Sequence, residues 1–300
     1  MEKILFDAHC HINEERYTDA DRAELAGKIL ASPVKFVMDA GSSVAASRQA
    51  IADADKDDFC YASVGVHPEE VGGMTEETLD ELRGMLSHPK VKCLGEIGLE
   101  YHDDDIPKEV QQEWFRRQIR LANELKMPIM IHSRDADLDT MTILKEEGAF
   151  SEERKSWFPK RRVMPGEEYD YVSHQNFDRD GEAFLVPDAR VLMHCYSYSA
   201  ETAHEYVKLG ATISICGPVT FKSNKKTRRV VKEVPVELMT VETDSPYLAP
   251  EPMRGKPNMS PYVEYTCRKV AEIKGISYEE AADITCRNAI RFYGIQGPGL

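Results

Sequence analysis

Ile4-Leu5-Phe6-Asp7-Ala8-His9-Cys10-His11 is an apolar run that ends in two histidines separated by one residue. Read as a strand it alternates, so Asp7, His9 and His11 point to one side and Cys10 to the other. Imidazoles at i and i+2 of a strand can grip one metal, although a His-x-His pair by itself is also met as an ordinary pair of histidines. Outward from this segment, short apolar runs rich in β-branched residues recur at Val34–Ala40, Tyr61–Val66, Val91–Glu96, Pro128–His132, Arg190–His194, Ala211–Cys216 and Met239–Asp244. Together with Ile4–His9 they make eight candidate strands, separated by longer amphipathic segments. Successive βα units of this kind predict an α/β chain folded as a TIM (β/α)8 barrel. Active sites of such barrels lie at the C-terminal ends of the strands, which is where the two histidines fall.

The clearest helix pattern begins at Pro107, because a proline in the first turn loses no needed hydrogen bond. Val110, Trp114, Leu121 and Leu125 then recur on one helical face. A last helix, about Tyr278 to Phe292, follows the eighth unit and is expected outside the barrel. Residues 151–187 break the rhythm and read as an insertion before the sixth strand. They carry Arg154, Lys155, Lys160, Arg161 and Arg162 with Trp157, Phe158, Tyr169, Tyr171, Phe177 and Phe184 interleaved. Basic residues beside aromatics suit single-stranded nucleic acid. A helix-to-strand connection, however, emerges at the N-terminal face of a barrel, opposite the catalytic mouth. The expectation is therefore an outer cover or an oligomer contact, within one domain spanning residues 1–300.

Composition narrows the function classes. With 42% hydrophobic and 30% charged residues in 300, the chain reads as a soluble globular enzyme rather than a disordered or fibrous one. Its first residues hold too short an apolar run for a signal peptide, so a cytoplasmic protein without a membrane partner is expected. The seven cysteines include no Cys-x-x-Cys pair and predict free thiols rather than a disulfide framework. A net charge of −14 opposes non-specific attraction to nucleic acid. A polyanionic substrate would have to be held by local cations.

The other strand ends repeat the chemistry of the first. Gly95-Glu96-Ile97-Gly98-Leu99 closes the fourth, Ile131-His132-Ser133-Arg134 the fifth, His194-Cys195-Tyr196-Ser197 the sixth and Glu242-Thr243-Asp244-Ser245-Pro246 the eighth. An ionised carboxylate buried without a partner is very costly, so Glu96 and Asp244 need cations close by, and metals can supply them.

Taken in order with Gly65-Val66-His67-Pro68, Gly217-Pro218-Val219-Thr220-Phe221-Lys222 and the continuation Tyr247-Leu248, these segments resemble the TatD family of metal-dependent deoxyribonucleases. The resemblance covers nearly the whole chain outside 151–187. It implies an amidohydrolase-like barrel, and His9, His11, Glu96, His132, His194 and Asp244 as ligands of two divalent metal ions. One ion would take His9, His11 and Asp244, the other His132 and His194, with Glu96 shared. Such donors suit zinc or manganese, and a phosphodiester can complete a magnesium shell. The implied reaction is hydrolysis of DNA, single-stranded or at an end, by a water that the cations acidify, with Asp244 orienting it and receiving its proton. Two alternatives stand beside this one: an amidohydrolase-type enzyme cutting another ester or amide, such as the ester of a charged transfer RNA, and a non-catalytic scaffold.

Asp7 and Glu242, each two residues before a ligand, are the candidates to orient ligating histidines. His67 is read as facing substrate or donating a proton, and His102 as touching substrate, while His88, His174 and His204 are expected in solvent. Arg134, Lys222, Lys225 and Arg254 are the candidate substrate contacts, with Lys226, Arg228, Arg229 and Lys256 nearby on the loops after strands seven and eight. Two further departures from the family pattern bear on substrate: Glu100 and His102 flank Tyr101 where Gly-Leu-Asp-Tyr is commoner, and Tyr198 replaces a glycine at the mouth.

Overall fold

Strand β1 (Leu5–Cys10) lies parallel to β2 (Val34–Ala40), and β3 (Cys60–Val64), β4 (Val91–Glu100) and β5 (Ile129–Arg134) continue the sheet in chain order. The computed structural model describes residues 2, 4–103, 105–166, 172 and 175–296. After β5 the chain forms a separate antiparallel sheet of β6 (Arg161–Val163), β7 (Asp178–Asp180) and β8 (Ala183–Val186). It then returns to the parallel sheet with β9 (Val191–Met193), β10 (Thr212–Ile215) and β11 (Met239–Val241). A helix follows each parallel strand, from Asp19–Leu30 after β1 to Val263–Lys274 after β11. The ring closes at the mouth, where Asp244 N–H donates to His9 O at 2.9 Å and His11 N–H donates to Ser245 O at 2.8 Å. This is the expected (β/α)8 barrel.

Two bulges aim side chains into the barrel. Asp7 pairs with Val37 and Cys10 with Asp39, so Ala8 and His9 together oppose Met38. In the same way Leu94 pairs with Ile129 and Ile97 with Ile131, leaving Gly95 and Glu96 opposite Met130. A bulge breaks strict alternation and re-aims the residue beside it. Phe6, Ala8, Met38, Cys93 and Met130 form the inner cluster, whereas Leu5, Cys10, Val37, Leu94 and Ile97 belong to the layer between sheet and helices. The expectation that Asp7 shares a face with His9 is corrected by the first bulge. Asp7 points to the outer layer, where it accepts from Thr243 N–H at 2.8 Å and from Thr243 Oγ1 at 2.6 Å. It anchors the residue before Asp244 and touches no histidine.

Pro107 caps the helix Lys108–Glu124, whose buried face is Gln111, Phe115, Gln118, Ile119 and Ala122 with Leu121. Val110, Trp114 and Leu125 border that face and are half-buried. The last helix, Tyr278–Tyr293, departs from expectation: its end fills the bottom of the barrel instead of lying outside it. Phe292 and Tyr293 pack with Phe6, Ala8 and Met130, and Tyr293 OH donates to Ala8 O at 2.7 Å. Small interior residues such as Ala8 leave room inside the ring of strands, and the two aromatics reach into it.

The insertion also sits at the N-terminal end. Arg154 and Arg161 are fully buried and act as internal struts rather than as a basic surface. Arg154 donates to Met127 O and Ala189 O at 2.8 Å, and Arg161 to Pro187 O and Ala211 O at 2.7 Å, all just ahead of β5, β9 and β10. Buried and bonded mainly to carbonyls, those two guanidinium groups are out of reach of a phosphate backbone. Tyr169, Tyr171 and His174 lie outside the described residues. All seven cysteines are free. Among the described residues no helix is long and apolar enough to cross a membrane.

Candidate metal centre

Six side chains from five strand ends converge at the mouth, with four imidazoles around Glu96 and Asp244 against two of them. One of its oxygens, Oε1, lies 2.9 Å from both His132 Nδ1 and His194 Nε2. The other, Oε2, lies 3.6 Å from His9 Nε2 and 3.8 Å from His11 Nε2. Asp244 Oδ1 stands 3.3 Å and 3.5 Å from the same two nitrogens. The bulge at Glu96 and a left-handed backbone at Asp244, φ 56°, turn these carboxylates inward.

What each imidazole does with its outer nitrogen decides what the inner one offers. His11 Nδ1 donates to Ala40 O at 2.9 Å, and His194 Nδ1 donates to Glu242 Oε1 at 3.1 Å. His132 Nε2 faces Glu100 Oε2 at 3.1 Å, and His9 Nδ1 faces Met130 Sδ at 2.8 Å. With protons on those outer atoms, the inner nitrogens present lone pairs, and those of His9 and His11 are only 3.0 Å apart. Nitrogens that close need a proton on His11 or a metal ion between or beside them. Among the described residues no lysine or arginine pairs with Glu96 or Asp244. Imidazoles and carboxylates so arranged fit divalent ions of the zinc and manganese kind.

Electrostatics agree with a charged nest. Burial opposes the ionised form of Glu96, but His194, His67, His9 and His132 outweigh it and hold the carboxyl well below its usual range. Asp244 is likewise held down against burial by His11 and His9. Burial works against a proton on His11, yet Asp244, Glu96 and Asp39 lift it to about 9. His67 goes the other way, pushed to about 3 by burial and by His132.

His67 lies inside the cluster, with Nε2 3.7 Å from Glu96 Oε1. Its Nδ1 accepts from Glu69 N–H at 3.3 Å, so the inward Nε2 carries the proton. His67 is thus a hydrogen-bond donor toward the centre. Glu242 orients His194 as expected, and also accepts from Cys195 N–H and Ser214 Oγ. Two contacts escaped the sequence reading: Met130 beside His9, and Glu100 beside His132. The signal for Glu100 was an acid in an apolar run four residues past Glu96 on the same strand.

A cavity of about 600 Å³ opens beside the cluster, with His11, His67 and Glu96 at its floor and Glu14, Glu69 and Tyr247 on its walls. None of Arg134, Lys222, Lys225 and Arg254 lines it. Arg134 is half exposed, 3.7 Å from Glu100 and 3.8 Å from Asp103. Lys222, Lys225, Lys226 and Lys256 are exposed, and Arg254 stacks over Phe221 at 4.7 Å. Arg228 and Arg229 are taken up by Thr220 O and Glu233 of their own chain. His102 is exposed beside Asp135, whereas His88 and His204 are half-buried near Asp55 and Glu233. Tyr198 OH joins Ser133 Oγ at 3.0 Å and Ala136 N–H at 3.1 Å, tying two mouth loops together.

Gly98 keeps His132 in place by having no side chain. Its φ is 151°, and a Cβ there would stand 1.8 Å from His132 O. Gly98→Ala is expected to destabilise the chain by on the order of 2–4 kcal/mol and to weaken metal uptake through His132. Thermal unfolding and metal content measure the two effects, and wild-type values for both would refute the steric reading.

Comparison with known proteins agrees with this geometry. The model of the family described as TatD related DNase matches residues 6–294. An uncharacterized metal-dependent hydrolase, YabD of Bacillus subtilis, is 39% identical over 97% of this chain and 100% of its own. The uncharacterized metal-dependent hydrolase TatD of Mycobacterium tuberculosis is 32% identical, covering 97% of this chain and 98% of its own. Among solved structures, the TatD homologue YjjV of Escherichia coli superposes with a TM-score of 0.81 at 22% identity over 99% of this chain and 100% of that one. From its matched length, its relatives and its barrel, this chain belongs to the TatD related DNase family.

Proposed function

We propose that this TatD-type metal-dependent hydrolase cuts phosphodiester bonds in DNA, at an end or in single strands, using two divalent ions. The observation that carries the reading is the division of Glu96: Oε1 serves His132 and His194, while Oε2 serves His9 and His11. One ion would be held by His9, His11 and Asp244, the other by His132 and His194, with Glu96 between them. Bound there, such a pair supplies Lewis-acid polarisation of a phosphoryl oxygen and acidifies water at neutral pH. Asp244 faces the space above His9 and His11, where it orients the attacking water and takes its proton. His67 Nε2–H donates to an oxygen of the reacting phosphate. Lys225 and Lys226 begin a helix, where their charge opposes the helix dipole, so an anion passing outside the cavity would relieve them.

The acidic walls of the cavity, Glu14 and Glu69 among them, favour a second reading. A cationic or neutral group fits there better than a polyanion, as in the aminoacyl ester of a charged transfer RNA. Metal-reconstituted chain should release mononucleotides from end-labelled single-stranded DNA, stop on addition of a chelator, and recover with zinc, manganese or magnesium. Deacylation of charged transfer RNA with DNA left intact under every one of these ions would overturn the first reading and establish the second.

A further inference from the structure

Strand β4 runs past the bulge at Glu96 to end at Glu100, whose side chain is only 2% exposed. A buried carboxylate needs partners to offset its lost hydration. Glu100 Oε1 accepts from His102 N–H at 2.7 Å, and Oε2 lies 3.1 Å from His132 Nε2. Its backbone is clamped by Gln111, which accepts from Glu100 N–H at 2.9 Å and donates to Glu100 O at 2.8 Å. Gln111 is itself buried on the helix that follows β4. The carboxylate is therefore held at a fixed height beside one imidazole. An ionised carboxylate only accepts, so the proton of His132 must sit on Nε2. Nδ1 faces a second carboxylate, Glu96 Oε1, at 2.9 Å, so in the metal-free ring it too can carry a proton, and a metal ion would take the place of that proton while Glu100 keeps the other on Nε2.

We propose that Glu100 is the positioning residue of His132, fixing its tautomer and ring plane and strengthening its Nδ1 as a donor to the ion shared with His194. The inference rests on the paired-ion reading and adds to it a carboxylate behind one ligand. Outer partners of this kind carry about 10–100-fold in metal affinity.

The test titrates zinc into the full metal-free chain against a chromophoric chelator, for wild type, Glu100→Gln and Glu100→Ala. For Glu100→Ala, one of two zinc sites should weaken about 10–100-fold, while the site of His9, His11 and Asp244 keeps its affinity. Glu100→Gln retains size and an acceptor oxygen and should weaken the same site by a smaller factor. Nitrogen-15 spectra of labelled histidine in the metal-free chain, at a pH where His132 carries a single proton, should show that proton moving from Nε2 toward Nδ1 in Glu100→Ala relative to wild type. A folded alanine variant with two wild-type affinities overturns the proposal. Should that variant fail to fold, unchanged affinity at both sites in Glu100→Gln overturns it instead. A wild-type chain that takes up fewer than two zinc ions overturns the paired-ion reading and this proposal together, whereas two ions in wild type with unaltered variants overturn the role of Glu100 alone.

Discussion

Glu96→Ala is expected to reduce hydrolysis to the uncatalysed background, a loss of at least about 10⁴-fold, and to leave fewer than two ions per chain. Among the described residues no other side chain touches all four of these imidazoles: its two oxygens reach His132, His194, His9 and His11 within 2.9–3.8 Å. On the paired-ion proposal, removing it would delete a donor to both ions at once and take away the anion they would share. A factor of 10⁴ corresponds to about 5.4 kcal/mol of lost transition-state stabilisation, in the range for a Lewis-acid centre. Elemental analysis after dialysis, circular dichroism and the rate on DNA give the three readouts. Two ions retained with near-normal turnover would dismiss Glu96 as the shared ligand.

Asp244→Asn is expected to lower kcat by about 10³-fold while fold and ions are kept, within the 10²–10⁴ that general acid–base catalysis contributes. The two side chains share shape, and the amide oxygen can still face His9 and His11. Asparagine also tolerates the left-handed conformation that Asp244 adopts at φ 56°, so the backbone is not strained. What would be lost, on the proposed mechanism, is the basic oxygen that takes the proton of the attacking water. Pre-steady-state rates of the reconstituted variant measure it, and rates close to wild type would remove Asp244 from the proton path.

The barrel and its site were legible in the sequence to different depths for physical reasons. Hydrophobic periodicity located all eight parallel strands, because burial on both faces makes each of them a continuous apolar run. It could not reveal the bulges at Ala8–His9 and Gly95–Glu96, since an extra residue in one strand is defined only by its partner across the sheet. Asp7 was assigned to the wrong face for that reason. The end of β4 was also hidden: Glu100 lies beyond an acid that already looked like a strand terminus, and only its pairing with Arg134 extends the strand so far. Loop cations were the least legible. Charge in sequence says nothing of direction, and the lysines after β10 face solvent while carboxylates line the cavity.

The hydrogen bond from Tyr293 to Ala8 spans 285 positions. On a translating ribosome, the strand bearing His9 and His11 therefore emerges long before its floor exists. A nascent chain must hold these histidines in an unfinished ring, and the cradle can form only once the last helix has been made and swung under the first strand. Competence in this hydrolase consequently awaits the helix Tyr278–Tyr293, and a product truncated ahead of it is expected to be inert.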